Sequence, residues 1–113
     1  MKIKQRNVGD VVILDISGEM YGGPENMKLL KTATELAGAG KQKLLLNFDK
    51  VKWIASTGLG ILVTTKTRYE RDGGKLKLCK LNERVLTLFQ VTKIVTMLEV
   101  HDTEEEALKA FAG

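Results

Sequence analysis

The chain reads as an α/β fold: a mixed sheet with an antiparallel hairpin at its N-terminal edge and four packed helices. Three observations predict it. Apolar runs rich in branched residues alternate with segments whose apolar residues recur at i, i+3 and i+4, in the order β-β-α-β-α-β-α-β-α. Glycines or capping residues punctuate most of the boundaries. Each strand–helix–strand unit favours parallel pairing by a right-handed crossover, while the first two strands are separated only by a turn.

The elements follow in order. Ile3 to Val8 is a polar, weaker strand, and Asn7-Val8-Gly9-Asp10 supplies the turn into Val11-Val12-Ile13-Leu14-Asp15-Ile16, a branched strand ending at Ser17-Gly18. Gly22-Gly23-Pro24 breaks the chain, and Pro24 suits a first helical position. Leu29, Leu30, Ala33, Leu36 and Ala37 trace an amphipathic helix that Gly38 and Gly40 stop. Leu44-Leu45-Leu46-Asn47-Phe48 is a buried-type strand, expected at the centre of the sheet. A second helix starts near Ser56 or Thr57 and runs to about Asp72, with Leu59, Leu62 and Val63 toward the core and Gly73-Gly74 at its end. Leu76 and Leu78 alternate with lysines in a half-buried strand. Asn82 caps a third helix containing Val85, Leu86 and Phe89, and Thr92 to Ile94 forms the loop that leaves it. Met97 to Val100 is a short final strand. Asp102 or Thr103 caps the last helix, where Glu104, Glu105 and Glu106 sit at the positive end and Ala107, Leu108 and Phe111 dock it.

Composition bounds the function. The 113 residues, 43% apolar, suit one domain spanning 1–113 with one core. No apolar run approaches the roughly 18–20 residues of a membrane span, and the first residues lack the apolar region of a signal peptide. The one cysteine, Cys79, cannot staple the fold; it reads as a small strand residue and suits a reducing cytoplasm. His101 has no second ligand beside it and reads as a turn residue. No glycine-rich phosphate loop precedes a Lys-Ser or Lys-Thr pair, and no Ser–His pair, carboxylate pair or metal-ligand spacing is recognisable. The expectation is therefore a protein without intrinsic catalysis, cofactor or metal.

Charge is uneven. Residues 1–40 are balanced, with five basic and five acidic groups; residues 41–80 carry ten basic and three acidic groups; residues 81–113 carry three basic and six acidic. A basic stretch of this kind attracts polyanions, or it simply solvates strand ends and a helix surface. No RNA-binding aromatic run or zinc-ligand pair accompanies it, so direct nucleic-acid binding is not expected.

Ala55-Ser56-Thr57-Gly58-Leu59-Gly60 is the most informative segment. Its two hydroxyls stand between a strand and a helix, just past a strand's carboxyl end, where partner and ligand sites gather in open α/β folds. Two roles are open to Ser56: capping the first turn, or carrying a phosphate onto a helix N-terminus. Gly58 and Gly60 leave the adjoining surface bare, so another protein could approach the backbone.

Gly18-Glu19-Met20, Leu46-Asn47-Phe48 and Ile54-Ala55-Ser56-Thr57-Gly58-Leu59-Gly60 together resemble the motifs of the STAS domain, the fold of bacterial anti-sigma factor antagonists. The resemblance covers nearly the whole chain. It implies that Ser56 is the phosphoacceptor, with Thr57 the runner-up, and that the partners are an anti-sigma factor serine kinase and a phosphatase. The unphosphorylated antagonist would bind the kinase and free a sigma factor; phosphorylation would break the complex. It also implies a partner-binding surface of Tyr21, Asn47, Trp53, Ala55, Thr57, Gly58 and Gly60. Family members often carry aspartate where this chain has Tyr21, Asn47 and Ala55. Losing three carboxylates lowers repulsion toward a phosphate and removes groups that a basic partner groove would pair with.

Trp53 reads equally as an exposed interface anchor or as packing over the sheet edge. Met20, Met27 and Met97 read as core or edge filler. Three functions follow: a partner-switching anti-sigma factor antagonist; a binding or scaffold module of the same fold that is not switched by phosphorylation, such as a subunit of a lipid-transport assembly; and a small enzyme, for which a hydroxyl but no base is visible.

Overall fold

A computed structural model describes residues 1–112. Its five strands are β1 (Lys2–Val8), β2 (Val11–Met20), β3 (Lys43–Ile54), β4 (Lys75–Cys79) and β5 (Glu99–His101). They lie in the order β1-β2-β3-β4-β5 within one sheet. Only the β1–β2 pair is antiparallel. The predicted mixed sheet with an N-terminal hairpin edge is thus the one observed, and Leu44, Leu45 and Leu46 are fully buried in its central strand.

The four helices are α1 (Met27–Gly38), α2 (Ser56–Arg71), α3 (Glu83–Val91) and α4 (Glu104–Ala112). Strand side chains alternate between faces, and the helices divide accordingly. Val12, Leu14, Leu44, Leu46, Phe48, Leu76 and Leu78 pack with apolar residues of α1, α2 and α3. Val11, Ile13, Leu45 and Cys79 pack with Ala107 and Phe111 of α4 on the other face. Burial pushes the Cys79 thiol up to about 12, which keeps it protonated and inert. Tyr69 is buried in the larger core with its hydroxyl donated to the Lys41 carbonyl, and desolvation raises it to about 12.

Several boundaries differ from the expected ones, each for a physical reason. Both β2 and β3 run past their apolar runs, because register shifts after Asp15 and after Gly18 let the chain keep pairing through polar residues. Ser17-Gly18 therefore lies inside β2. Pro24 precedes α1 by a loop: Gly22 has φ +86°, its N–H donates to the buried Asn26 side chain, and the helix begins only at Met27. Val63 is only partly buried. Asn82 caps α3 as expected, its Oδ1 accepting the Val85 N–H at 2.9 Å. Beyond α3, Lys93 adopts a left-handed conformation and Ile94–Thr96 forms a 3-10 turn instead of an open loop. The last strand then starts at Glu99, so Met97 is half exposed, and His101 is a strand residue whose ring lies 2.6 Å from the Glu99 carboxylate. Met27 is likewise about half exposed; only Met20 of the three methionines is core. Thr103, through Oγ1, accepts the Glu106 N–H at the start of α4.

Arg6 ties the hairpin to α4. Its Nη2 donates to Asp15 Oδ1 at 2.8 Å and to Glu104 Oε1 at 2.6 Å. These hydrogen bonds hold both carboxyls below their ordinary values of 3.8 and 4.5. A depressed carboxyl stabilises the fold above its unfolded pKa, and that contribution disappears as acid protonates it in the folded state. All three side chains are about a third exposed, so screening trims the gain. Arg6→Gln should therefore cost roughly 1–2 kcal/mol at neutral pH, and the deficit should shrink as pH falls below about 4. Urea denaturation at pH 7 and at pH 3 checks this; an equal deficit at both would contradict it.

Candidate functional site

The loop after β2 and the junction of β3 with α2 meet at one end of the sheet. The Ala55 N–H donates to the Met20 carbonyl at 2.8 Å, fixing the end of β2 against the start of α2. Thr57 Oγ1 donates to the Tyr21 carbonyl, and a side chain on Gly22 would collide with Thr57. Gly58 is buried, and a Cβ there would lie 2.6 Å from the Met20 oxygen. Gly60 is exposed, with open space where its side chain would be. The two motif glycines are therefore unlike: Gly58 admits the β2 backbone, and Gly60 leaves bare surface.

Tyr21 is 58% exposed; its hydroxyl donates to the Glu19 carboxylate, which raises its pKa, and its ring lies 5.3 Å from that of Trp53, tilted by 56°. Trp53 is half-buried, so it both packs on Tyr21 and presents a face to solvent.

Ala55 occupies the N-cap position of α2 with extended backbone, and no side chain caps the helix. The hydroxyl of Ser56 follows it as the first helical residue. It is exposed and has no hydrogen-bond partner among the described residues. The capping role open to Ser56 is therefore not the one it plays. An uncapped helix start leaves first-turn N–H groups for solvent or for an anion.

A groove of about 870 Å³ runs from this point along α3. Trp53, Ser56 and Thr57 form one wall; Arg84, Leu88 and Val91 form the other. Val91 is 74% exposed. The α3 wall is what sequence reasoning missed. Its signal was present: Leu88 and Val91 are spaced three apart, outside the Val85/Phe89 stripe that enters the core.

Asn47 is not among these residues. It lies on the opposite face of the sheet, beneath α4, where its Nδ2 donates to Glu104 Oε1 at 3.0 Å and its Oδ1 accepts the Asp49 N–H at 2.9 Å. The structure thus brings Tyr21, Trp53, Ala55, Ser56, Thr57, Gly58 and Gly60 to one end and leaves Asn47 outside. An aspartate at 47 would lose the donor that Glu104 uses.

A model of the STAS domain matches residues 2–107. The chain belongs to the STAS domain family. The anti-sigma-B factor antagonist of Bacillus subtilis is 31% identical over 103 residues, covering 89% of this chain and 90% of that protein. Among solved structures, an anti-sigma factor antagonist from Mycobacterium paratuberculosis superposes with a TM-score of 0.84 at 17% identity, over 99% of this chain and 94% of that one. The antagonist SpoIIAA in its unphosphorylated form superposes with a TM-score of 0.75 at 19% identity, over 99% of both chains. These two likenesses speak to the STAS fold itself. Among the described residues, no helix is long and apolar enough to cross a membrane.

Proposed function

We propose that this STAS chain is an anti-sigma factor antagonist that works by partner switching. With Ser56 unmodified, the Tyr21–Trp53–Ser56 end binds an anti-sigma factor serine kinase; phosphorylation of Ser56 releases it, and a phosphatase resets it. The protein itself does no chemistry. What carries the reading is the Ser56 hydroxyl: exposed, without a hydrogen-bond partner among the described residues, at an uncapped helix start beside a groove with an apolar wall. Thr57 makes the weaker acceptor, because its hydroxyl is engaged by the Tyr21 carbonyl. The curated relatives named anti-sigma factor antagonists support the general role.

Two measurements test this reading. Incubation with ATP and a cognate anti-sigma factor serine kinase, followed by mass spectrometry, should place one phosphate on Ser56. Modification confined to Thr57 would move the switch by one residue. No modification would favour the unswitched binding module. In the second, Trp53→Ala should weaken binding to that kinase by about 2 kcal/mol, roughly thirtyfold, as expected of a hot-spot aromatic. Glu105→Ala, on the exposed start of α4, should leave affinity unchanged. Loss only in Glu105→Ala would place the interface elsewhere.

A further inference from the structure

The sheet face that carries α4 is covered only in part. The helix seats on Val11, Ile13, Leu45 and Cys79, while the rows nearer the carboxyl end of β2 lie open. Alternation along β1 puts Lys2, Lys4 and Arg6 on this face. Lys2 stands opposite Ser17, and Lys4 opposite Asp15. On the other side of β2, Ser17 stands beside Lys50 of β3. One row therefore reads Lys2–Ser17–Lys50 across three strands.

Lys50 reaches that row only through a bulge. Asp15 aligns with Asn47, yet Ser17, two residues later, aligns with Lys50, three residues later. In regular register Asp49 would flank Ser17; the extra residue sets Lys50 beside it, while Asp49 still lines the same concavity. Asn47 holds the bulge by accepting the Asp49 N–H. Bulges commonly re-aim a side chain next to a site.

Base outweighs acid around this row: Lys2, Lys4, Arg6, Lys50 and Lys80 line it against Asp15, Asp49 and Glu104. Lys2, Lys4 and Lys50 make no ion pair among the described residues, and the Ser17 hydroxyl has no hydrogen-bond partner there. Asp15 and Glu104 are taken by Arg6, and Asp49 lies 4.0 Å from Lys80. Adjacent strands lie about 4.8 Å apart, so the two lysine backbones stand about 10 Å apart astride Ser17, a span their side chains close over a small anion. Like charges gathered on one face oppose folding unless something neutralises them. These groups line a concavity of about 620 Å³ together with Asn47, Lys80 and the carboxylates of Asp49 and Glu104.

We propose that this concavity binds a soluble phosphomonoester, its phosphate seated over Ser17 between Lys2 and Lys50. Two ammonium groups and a hydroxyl supply donors for a dianion with three terminal oxygens, and Lys4 adds a further positive charge. The volume suits a small molecule. A soluble ligand is favoured over an anionic bilayer because the lysines line a concavity of small-molecule size instead of a flat face. This site lies away from Ser56 and does not depend on the switch.

Titration of the full chain with glycerol 3-phosphate, followed by two-dimensional amide NMR, tests the proposal. Saturable shifts at Ser17 and Lys50 are expected, weakening with added salt. The double variant Lys2→Gln/Lys50→Gln, checked for an unchanged thermal melt, should bind roughly tenfold or more weakly, as loss of two charge-assisted contacts implies. Ser17→Ala should weaken binding less. Unchanged affinity in the double variant, shifts confined to the start of α2, or a response only to phosphatidylcholine vesicles doped with phosphatidic acid would each overturn it.

Discussion

Gly58→Ala should lower the unfolding free energy by roughly 1–3 kcal/mol, whereas Gly60→Ala, two residues on, should raise it by up to about 1 kcal/mol. Both residues lie in α2, where alanine is the better helix former. They differ in what the added methyl meets. At 58 it would lie 2.6 Å from the Met20 oxygen and 2.9 Å from Ile54 Cγ1. The first is backbone, already bonded to the Ala55 N–H, so either β2 or α2 must move. At 60 it meets open space. Urea denaturation of the two variants measures the contrast, and equal effects would show that α2 does not seat on β2 as described. Partner binding should invert the order: Gly60→Ala, stable in itself, should weaken the complex if a partner lies against that bare surface.

The element order was legible because periodicity survives in this chain. Leu44 to Leu46 reads as a buried strand and is one; Leu29, Leu30, Ala33 and Leu36 read as a helix face and form it. What the sequence hid was irregularity. A bulge leaves no mark in an apolar pattern, so the buried-type run named only Leu44 to Phe48 although β3 continues to Ile54. Ser17-Gly18 looked like a break for the same reason. Pro24 matched a first helical position by residue type, but the buried Asn26 sets the loop and delays the helix.

At the site, the residues adjacent in sequence to Ser56 were readable from the motif, and Tyr21 from its place after β2. Asn47 was carried to the site by resemblance alone. Strand parity and the bulge decide its side, and both depend on pairing that a single strand does not reveal. The α3 wall escaped because it is contributed by a helix roughly thirty residues away, whose exposed Val91 is unremarkable until the groove is seen. The basic stretch proves to be dispersed: Lys43, Lys66 and Lys77 pair with Asp10, Glu70 and Glu99, while Lys50 joins β1 on the sheet face.

A phosphate on Ser56 should leave the fold almost unchanged and abolish the complex. It brings about −1.5 to −2 charges and three acceptor oxygens to the uncapped start of α2, where the helix dipole favours it by roughly 0.3–1 kcal/mol. No buried neighbour is displaced, since the hydroxyl is exposed. A partner seated over Gly60 and the groove would meet the added group directly and would have to desolvate it. A penalty of about 3 kcal/mol already weakens binding more than a hundredfold. The decisive measurement is the affinity of the cognate anti-sigma factor kinase for the unmodified chain and for the same chain carrying phosphoserine only at position 56, prepared by site-specific incorporation. Partner switching predicts tight binding of the first, a loss of more than about a hundredfold in the second, and thermal melts within about 1 kcal/mol of each other. Equal affinities, with the phosphate verified on Ser56, would contradict it.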